Sequence, residues 1–215
     1  MPPQPYDELW RKIVEIHNHT KVHLIYCEER GIDHNTFIQP RNELCNALEH
    51  IVRAKCNELG MGESGKVAAD NYERDSLDKA LGHEYRAFFD VCDWLSIILR
   101  EEIQNALGAY TPEVIQKVIP DYYSGIRPQL DGIPLQIAEI RAKKDIKGDV
   151  LSEVREYDVI LSQIKRFRAG ISAKIPALEE VKKGEERKKL WIAIGFLCTA
   201  LLGAILKGIW DWSHR

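Results

Sequence analysis

Two copies of one short pattern carry the residues best suited to binding or catalysis. Residues 47–54 read ALEHIVRA and residues 80–87 read ALGHEYRA, so both fit ALxHxxRA. A histidine and an arginine three residues apart share one face of a helix. Alanines at seven-residue spacing would let two such helices pack closely. The candidate ligand-binding residues are therefore His50, Arg53, His83 and Arg86.

The chemistry depends on whether the two copies face each other. An antiparallel hairpin that turns near Lys66 would bring them to similar height, and convergent arginine and histidine side chains suit a phosphate or another anion. Nearby acids could neutralise these charges instead, which leaves an alanine-lined helix pair as an alternative. A catalytic site is the third alternative, although we assign no catalytic residue, metal ligand or cofactor. The nearby acids are Glu43, Glu49, Glu84, Asp90 and Asp93.

The catalytic alternative has a known precedent in helical ribonucleases. The paired, all-helical pattern resembles the HEPN ribonucleases in outline, which would imply a membrane-tethered nuclease. HEPN enzymes use Arg-x(4–6)-His, whereas this chain has His-x2-Arg, and eight residues separate Arg41 from His50. No catalytic residue is therefore carried over from that resemblance.

Three further patterns have simpler explanations. Residues 60–66 (GMGESGK) fit GxxxxGK, but Val67 follows where a phosphate-binding loop needs Ser or Thr, and a turn between helices explains the glycines. The stripe Glu15, His19 and His23 could bind zinc, but a solvated helix face is favoured. The basic residues Lys165, Arg166 and Arg168 form a third pattern. They could contact anionic lipid headgroups or could simply be a solvent-exposed face.

The C-terminal end predicts one membrane-spanning helix. Residues 190–206 contain 17 residues without a charge. With Lys207 snorkelling, the span extends over 190–210, about 20 residues and roughly 30 Å of helix. Tryptophans stand at both rims, and basic residues precede the span far more than they follow it. The positive-inside rule then predicts that the part before the span is cytoplasmic and that the tail over 211–215 is external. The predicted location is the inner (plasma) membrane, with a single pass.

One side of the predicted span is lined by small residues. Gly195, Thr199 and Gly203 are spaced four apart, so they share a face on which Lys207 also projects. Small residues let helices approach closely in lipid. This face predicts self-association, and a single helix could form a pore only as several copies around an axis.

The rest of the chain predicts an all-α fold. Apolar residues recur at helical spacing and no alternating strand pattern persists. We predict a helical sensor bundle over 1–134, with an irregular link over 120–134, and a helical stalk over 135–189. A net charge of −3 excludes a general positive field for nucleic acid, and five scattered cysteines form no CxxC pair.

This layout, with the paired His/Arg patch, resembles the small membrane effectors of bacterial anti-phage defence of the Hailong type. The resemblance implies a homo-oligomeric channel in the membrane, gated by a nucleotide or oligonucleotide that a partner nucleotidyltransferase makes. It implies no enzymatic activity in this chain. A tail-anchored scaffold for a cytoplasmic partner is the alternative from a different functional class.

Overall fold

The computed structural model describes residues 6–30, 37–61, 71–143 and 148–213. Within these ranges the chain is helical and contains no strand, so the all-α prediction is confirmed. Residues 62–66 of the predicted GxxxxGK turn and the last two residues of the predicted tail lie outside the described residues. The helices are α1 (Asp7–Glu28), α2 (Ile38–Glu58), α3 (Tyr72–Leu107), α4 (Pro112–Val118), a π-helical turn (Tyr122–Ile126), α5 (Arg127–Ala142) and α6 (Val150–Ser213).

The core of the bundle is built around α3. This helix packs against α1, α2 and α6, and 17 of its residues are buried. An aromatic cluster occupies its middle, where Phe89 lies edge-on to Tyr157 of α6 with ring centroids 5.5 Å apart. Tyr157 also donates a 2.5 Å hydrogen bond to Asp93. Because other helices cover α3 on several sides, its buried residues extend around most of its circumference.

An alanine seam joins α2 to α3, as the repeated pattern predicts. Ala47, Ala54, Ala80 and Ala87 are all buried. Contacts pair Glu43 with Arg86 and His50 with His83, so the two helices run antiparallel. Pro40 lies in the first turn of α2. Backbone N–H groups in the first turn have no acceptor within the helix, so proline costs no hydrogen bond there.

The irregular link predicted over 120–134 is wrong for most of its length. A π-helical turn and the first half of α5 occupy it. Pro128 falls in the first turn of α5, where proline is tolerated. Pro134 lies inside α5 and removes one helical hydrogen bond, but it is flanked by Ile133 and Ile137, which are buried in the core. Tertiary packing therefore holds a helix where proline and glycine content predicted none.

Helix α6 is continuous from the core of the bundle to the C-terminal apolar segment. Its side chains are buried at intervals from Val150 to Leu178, and Tyr110 donates a 2.6 Å hydrogen bond to Glu179. The predicted stalk over 135–189 thus comprises half of α5 and the first part of α6, and its buried residues join the same core as residues before 134. Beyond Glu186 the described side chains are exposed.

Overpacking the alanine seam should destabilise the bundle. Ala87→Leu adds three carbons to a fully buried site, so we expect the free energy of unfolding to fall by about 1–3 kcal/mol. Ala138→Leu is the matched control, because Ala138 is exposed on α5 and should change stability by less than about 0.5 kcal/mol. Urea unfolding of the full chain in detergent measures both. Equal effects would contradict close α2–α3 packing.

Candidate functional site

The four predicted ligand-binding residues come from facing turns of α2 and α3. The rings of His50 and His83 stack with centroids 5.3 Å apart and planes 18° apart. This contact places the two copies of ALxHxxRA side by side. Arg53 turns away from that contact toward Glu49. Arg86 reaches Glu43 through Nε, and its Nη2 also lies 2.7 Å from His83 Nδ1.

Glu43 is the internal partner of the α3 copy. Its Oε2 accepts a hydrogen bond from Arg86 Nε at 2.8 Å and lies 2.7 Å from His83 Nδ1. Burial acts to raise the pKa of Glu43, but these two partners outweigh it, so the pKa is lowered. Glu43 is therefore ionised at neutral pH and already occupies part of the Arg86 fork.

The α2 copy is more exposed and less charged. Arg53 pairs with Glu49 one turn away, in a solvent-exposed contact of the kind that contributes little to stability. Burial, together with the charges of His83 and Arg53, lowers the pKa of His50, so His50 is neutral at pH 7. Each arginine of the patch is thus paired with one carboxylate of the chain, Arg86 with Glu43 and Arg53 with Glu49.

An open cavity of about 380 Å³ adjoins this patch on α3. His83 and Arg86 line it, but so do two further acids and only one further cation. The additional charged side chains are Asp75, Asp78 and Lys79. An anion that binds here must therefore compete with several carboxylates of the chain itself.

The histidine stripe of α1 lies at an interface, and the predicted solvated face is wrong. His23 is 5% exposed, and its Nε2 lies 2.6 Å from Asp158 Oδ1 of α6. His19 contacts the other oxygen of Asp158, and Arg155 donates to Glu15 at 2.8 Å. The stripe therefore ties α1 to α6. Complementary residues on α6 make this possible, and spacing along α1 alone gave no indication of them.

Arg168, predicted to reach lipid headgroups or to be simply exposed, instead forms an interhelical contact. Arg168 of α6 and Arg30, just after α1, both donate to Glu102 of α3. Arg168 precedes Leu190 by 22 residues, which is about 33 Å along a continuous helix. It therefore lies well outside the headgroup layer of a membrane entered at Leu190. Nearby, Lys165 lies over the Tyr26 ring at 4.3 Å, and burial lowers its pKa.

The C-terminal segment of α6 is not covered by any other part of the chain that the structure describes. Among the described residues one helix is long and apolar enough to cross a membrane, and its most apolar 18-residue window is entirely unburied. A Cβ added at Gly195 or Gly203 would meet nothing within 4 Å. Thr199 Oγ1 donates to the Gly195 carbonyl at 2.6 Å, so its hydroxyl is satisfied within the helix. Lys207 is exposed on the same side.

No protein-family model, curated protein or solved structure matches the chain. Within the described ranges no three His, Cys, Asp or Glu side chains are grouped to hold a metal ion. The geometry of the chain itself is therefore the basis for its proposed function.

Asp158 should make the bundle sensitive to acid. Burial acts to raise its pKa, but His23 and His19 outweigh burial, so the pKa is lowered. A carboxyl with a lowered folded pKa stabilises the fold above its ordinary pKa of about 3.9 and loses that contribution as pH falls through the folded value. Asp158→Asn should therefore cost about 1–3 kcal/mol near neutral pH, and the cost should shrink below about pH 4.

Glu156→Gln provides the control for this prediction, because Glu156 is exposed on the same helix. Its stability should stay within about 0.5 kcal/mol of wild type. Unfolding free energies measured from pH 7 to pH 2.5 give both curves. A cost of Asp158→Asn that stays constant across this range would contradict the ionised clamp.

Proposed function

We propose that this protein is a homo-oligomeric, single-pass membrane effector whose helical bundle binds a nucleotide or oligonucleotide and thereby changes the packing of its spanning helices. The observation that carries the proposal is the continuity of α6. One helix supplies core residues to the bundle and also forms the unpartnered apolar segment. Any shift of α6 within the bundle is therefore transmitted to the segment that would lie in lipid.

The flanks of the apolar segment support an orientation for this effector. Arg187, Lys188 and Lys189 directly precede it and are exposed. By the positive-inside rule they stay on the cytoplasmic face, so the bundle is cytoplasmic and the tail external. In a bacterium the membrane would be the inner membrane, consistent with a role in anti-phage defence. The last partly buried contact, near Val181, lies only about 13 Å of helix before Leu190. The bundle is thus held close to the membrane surface.

Self-association would use the small-residue face. Gly195, Thr199 and Gly203 present no bulky side chain, so a second copy can approach to backbone contact. Lys207 lies at one end of that face and would bring one charge per copy toward the shared axis. Several copies arranged in this way could line a conducting path, and a change in their packing would open or close it.

Ligand binding would act on the α2–α3 pair. A phosphate that binds Arg86 through Nε would displace Glu43, while Arg53 and His50 lie on the facing helix. Exchange of an internal carboxylate for a ligand gives the bundle two arrangements, whose balance the ligand shifts by its difference in affinity. A neighbouring nucleotidyltransferase would be the natural source of such a ligand.

Gly203→Leu should disrupt the assembly and the membrane activity together. A leucine on the small face separates the helices, so we expect self-association to weaken at least about tenfold, or about 1.4 kcal/mol. Gly208→Leu is the matched control, because it is the same exchange on the opposite half of the helix and also meets no neighbour. Sedimentation in detergent and dye leakage from liposomes give the two readouts. If Gly203→Leu leaks as much dye as Gly208→Leu and wild type, the proposed conducting path along the small-residue face is contradicted.

Ligand gating has its own test at the patch. Arg53→Gln with Arg86→Gln should abolish a nucleotide-dependent change in leakage while leaving assembly intact. Arg127→Gln is the control, because Arg127 forms a comparable exposed contact with Asp131 one turn away. The screen uses nucleoside mono-, di- and triphosphates and short DNA oligomers. If none of these probes binds wild type, gating through this patch is refuted.

A tail-anchored scaffold is the second candidate. The pairing of Arg86 with Glu43, and of Arg53 with Glu49, favours it, because charges satisfied within the chain need no ligand. It predicts an anchored protein that never conducts and that functions normally with both arginines replaced. Exchanges on the exposed surfaces of the bundle would then abolish partner binding.

A further inference from the structure

Three helical segments meet at a second group of charged side chains, far from the predicted patch. Arg30 follows α1, Glu102 belongs to α3 and Arg168 belongs to α6. Arg30 Nη2 and Arg168 Nε both donate to the same carboxylate oxygen, Glu102 Oε2. We call this group the Arg30–Arg168 cluster.

The cluster has more positive charge than its acid neutralises. Two guanidinium groups share one carboxylate, and guanidinium groups stay protonated. Burial acts to raise the pKa of Glu102, but both arginines outweigh it, so the pKa is lowered and the carboxylate is ionised. A net positive charge remains among side chains that are only 19–32% exposed. In such a partly desolvated place an anion is attracted more strongly than at the surface.

Several donors of the cluster have no acceptor. Arg30 Nε is buried and makes no hydrogen bond. Arg168 bonds through Nε alone, so within the described residues its two terminal nitrogens have no partner. Buried polar groups are normally satisfied. An arginine fork that is satisfied on one edge only is a site for an acceptor with several oxygens.

A cavity of about 290 Å³ opens at this cluster. Arg30, Glu102 and Arg168 line it together with Asn105 and Ser172, whose amide and hydroxyl groups add uncharged donors. Its volume is at the low end of the range for ligand pockets, so it suits a phosphate group better than an extended ligand. The predicted patch differs, because Asp75 and Asp78 line its cavity.

We propose that the Arg30–Arg168 cluster binds a phosphate group or a similar small oxyanion between α1, α3 and α6. The anion accepts from the terminal nitrogens of Arg168 and is attracted by the net positive charge of the arginine pair. It thereby reinforces the link between α1 and the helix that leads to the membrane. Arg168 lies about 33 Å of helix before Leu190, so the phosphate belongs to a soluble molecule and not to a lipid headgroup. This assignment does not depend on the proposed gating at the α2–α3 patch.

Thermal unfolding of the full chain in zwitterionic nanodiscs tests the site, with inorganic phosphate and pyrophosphate as probes. Sodium chloride keeps the ionic strength constant, which removes general screening. Wild type should unfold at a higher temperature as either probe is added, with a saturable dependence. Arg168→Gln should weaken the apparent affinity at least tenfold. Arg168→Lys keeps the charge but loses the planar guanidinium, so its apparent affinity should lie between those of wild type and Arg168→Gln.

Two further variants separate ligand binding from a structural role. Glu102→Gln removes the competing carboxylate, so it should lower the stability without ligand but increase the affinity for phosphate. Arg155→Gln is the matched control, because Arg155 is an α6 arginine that bridges to α1 through Glu15, away from the cavity. It should leave the affinity unchanged.

The result that overturns the proposal is a wild-type unfolding temperature that phosphate and pyrophosphate leave unchanged. Equal losses of affinity in Arg168→Gln and Arg155→Gln would also overturn it, since they would indicate a general charge effect. Nanodiscs with anionic lipid test the source of the phosphate. If anionic lipid alone stabilises wild type but not Arg168→Gln, the site binds headgroups and the assignment to a soluble molecule is wrong.

Discussion

The structure depends on one constraint: the helix that completes the bundle core also carries an apolar end that the chain does not cover. From Leu190 to Trp212 the described part of α6 exposes thirteen large hydrophobic side chains. At about 1.5 kcal/mol for each, leaving them in water forgoes on the order of 20 kcal/mol, more than the whole stability of a typical domain. This end is therefore the part of the chain that most needs a cover, and lipid is the cover that we propose.

The contacts that hold α6 in the bundle include polar bridges as well as apolar packing. Asp158 is clamped by two histidines of α1, Arg168 shares Glu102 with Arg30, and Glu179 accepts from Tyr110. Ion pairs respond to pH, to salt and to bound anions in a way that apolar contacts do not. The position of α6 relative to its neighbours thus depends in part on interactions that a small charged molecule can change. That property would suit the control of a membrane segment that we propose for this bundle.

The sequence predicted the features that depend on one helix or on two neighbouring helices. The apolar segment, the alanine seam and the facing of His50 and His83 all follow from spacing along the chain. These predictions held because helical periodicity and adjacent pairing leave few alternatives.

Features that depend on distant pairing could not be predicted in the same way. The sequence predicted that His19 and His23 lie on a solvent-exposed helix face, because their partner Asp158 is 135 or more residues away along the chain. Arg30 and Arg168 share no pattern, and only the packing of α3 between them brings Glu102 to both. The first half of α5 was missed because Pro128, Gly132 and Pro134 outweighed the apolar residues among them, Leu130 and Ile133, whose burial depends on the core. In each case a tertiary contact decided the outcome.

Two cysteines of the chain test the central claim, that the apolar end of α6 lies in lipid. Cys45 is exposed on α2 and Cys198 is exposed near the middle of the apolar segment, on the half opposite to the small residues. The measurement is modification by a membrane-impermeant maleimide in intact proteoliposomes, followed by mass spectrometry of the peptides. We predict that Cys45 reacts and that Cys198 stays unmodified until detergent dissolves the bilayer. Equal modification of Cys198 and Cys45 in intact vesicles would contradict the account.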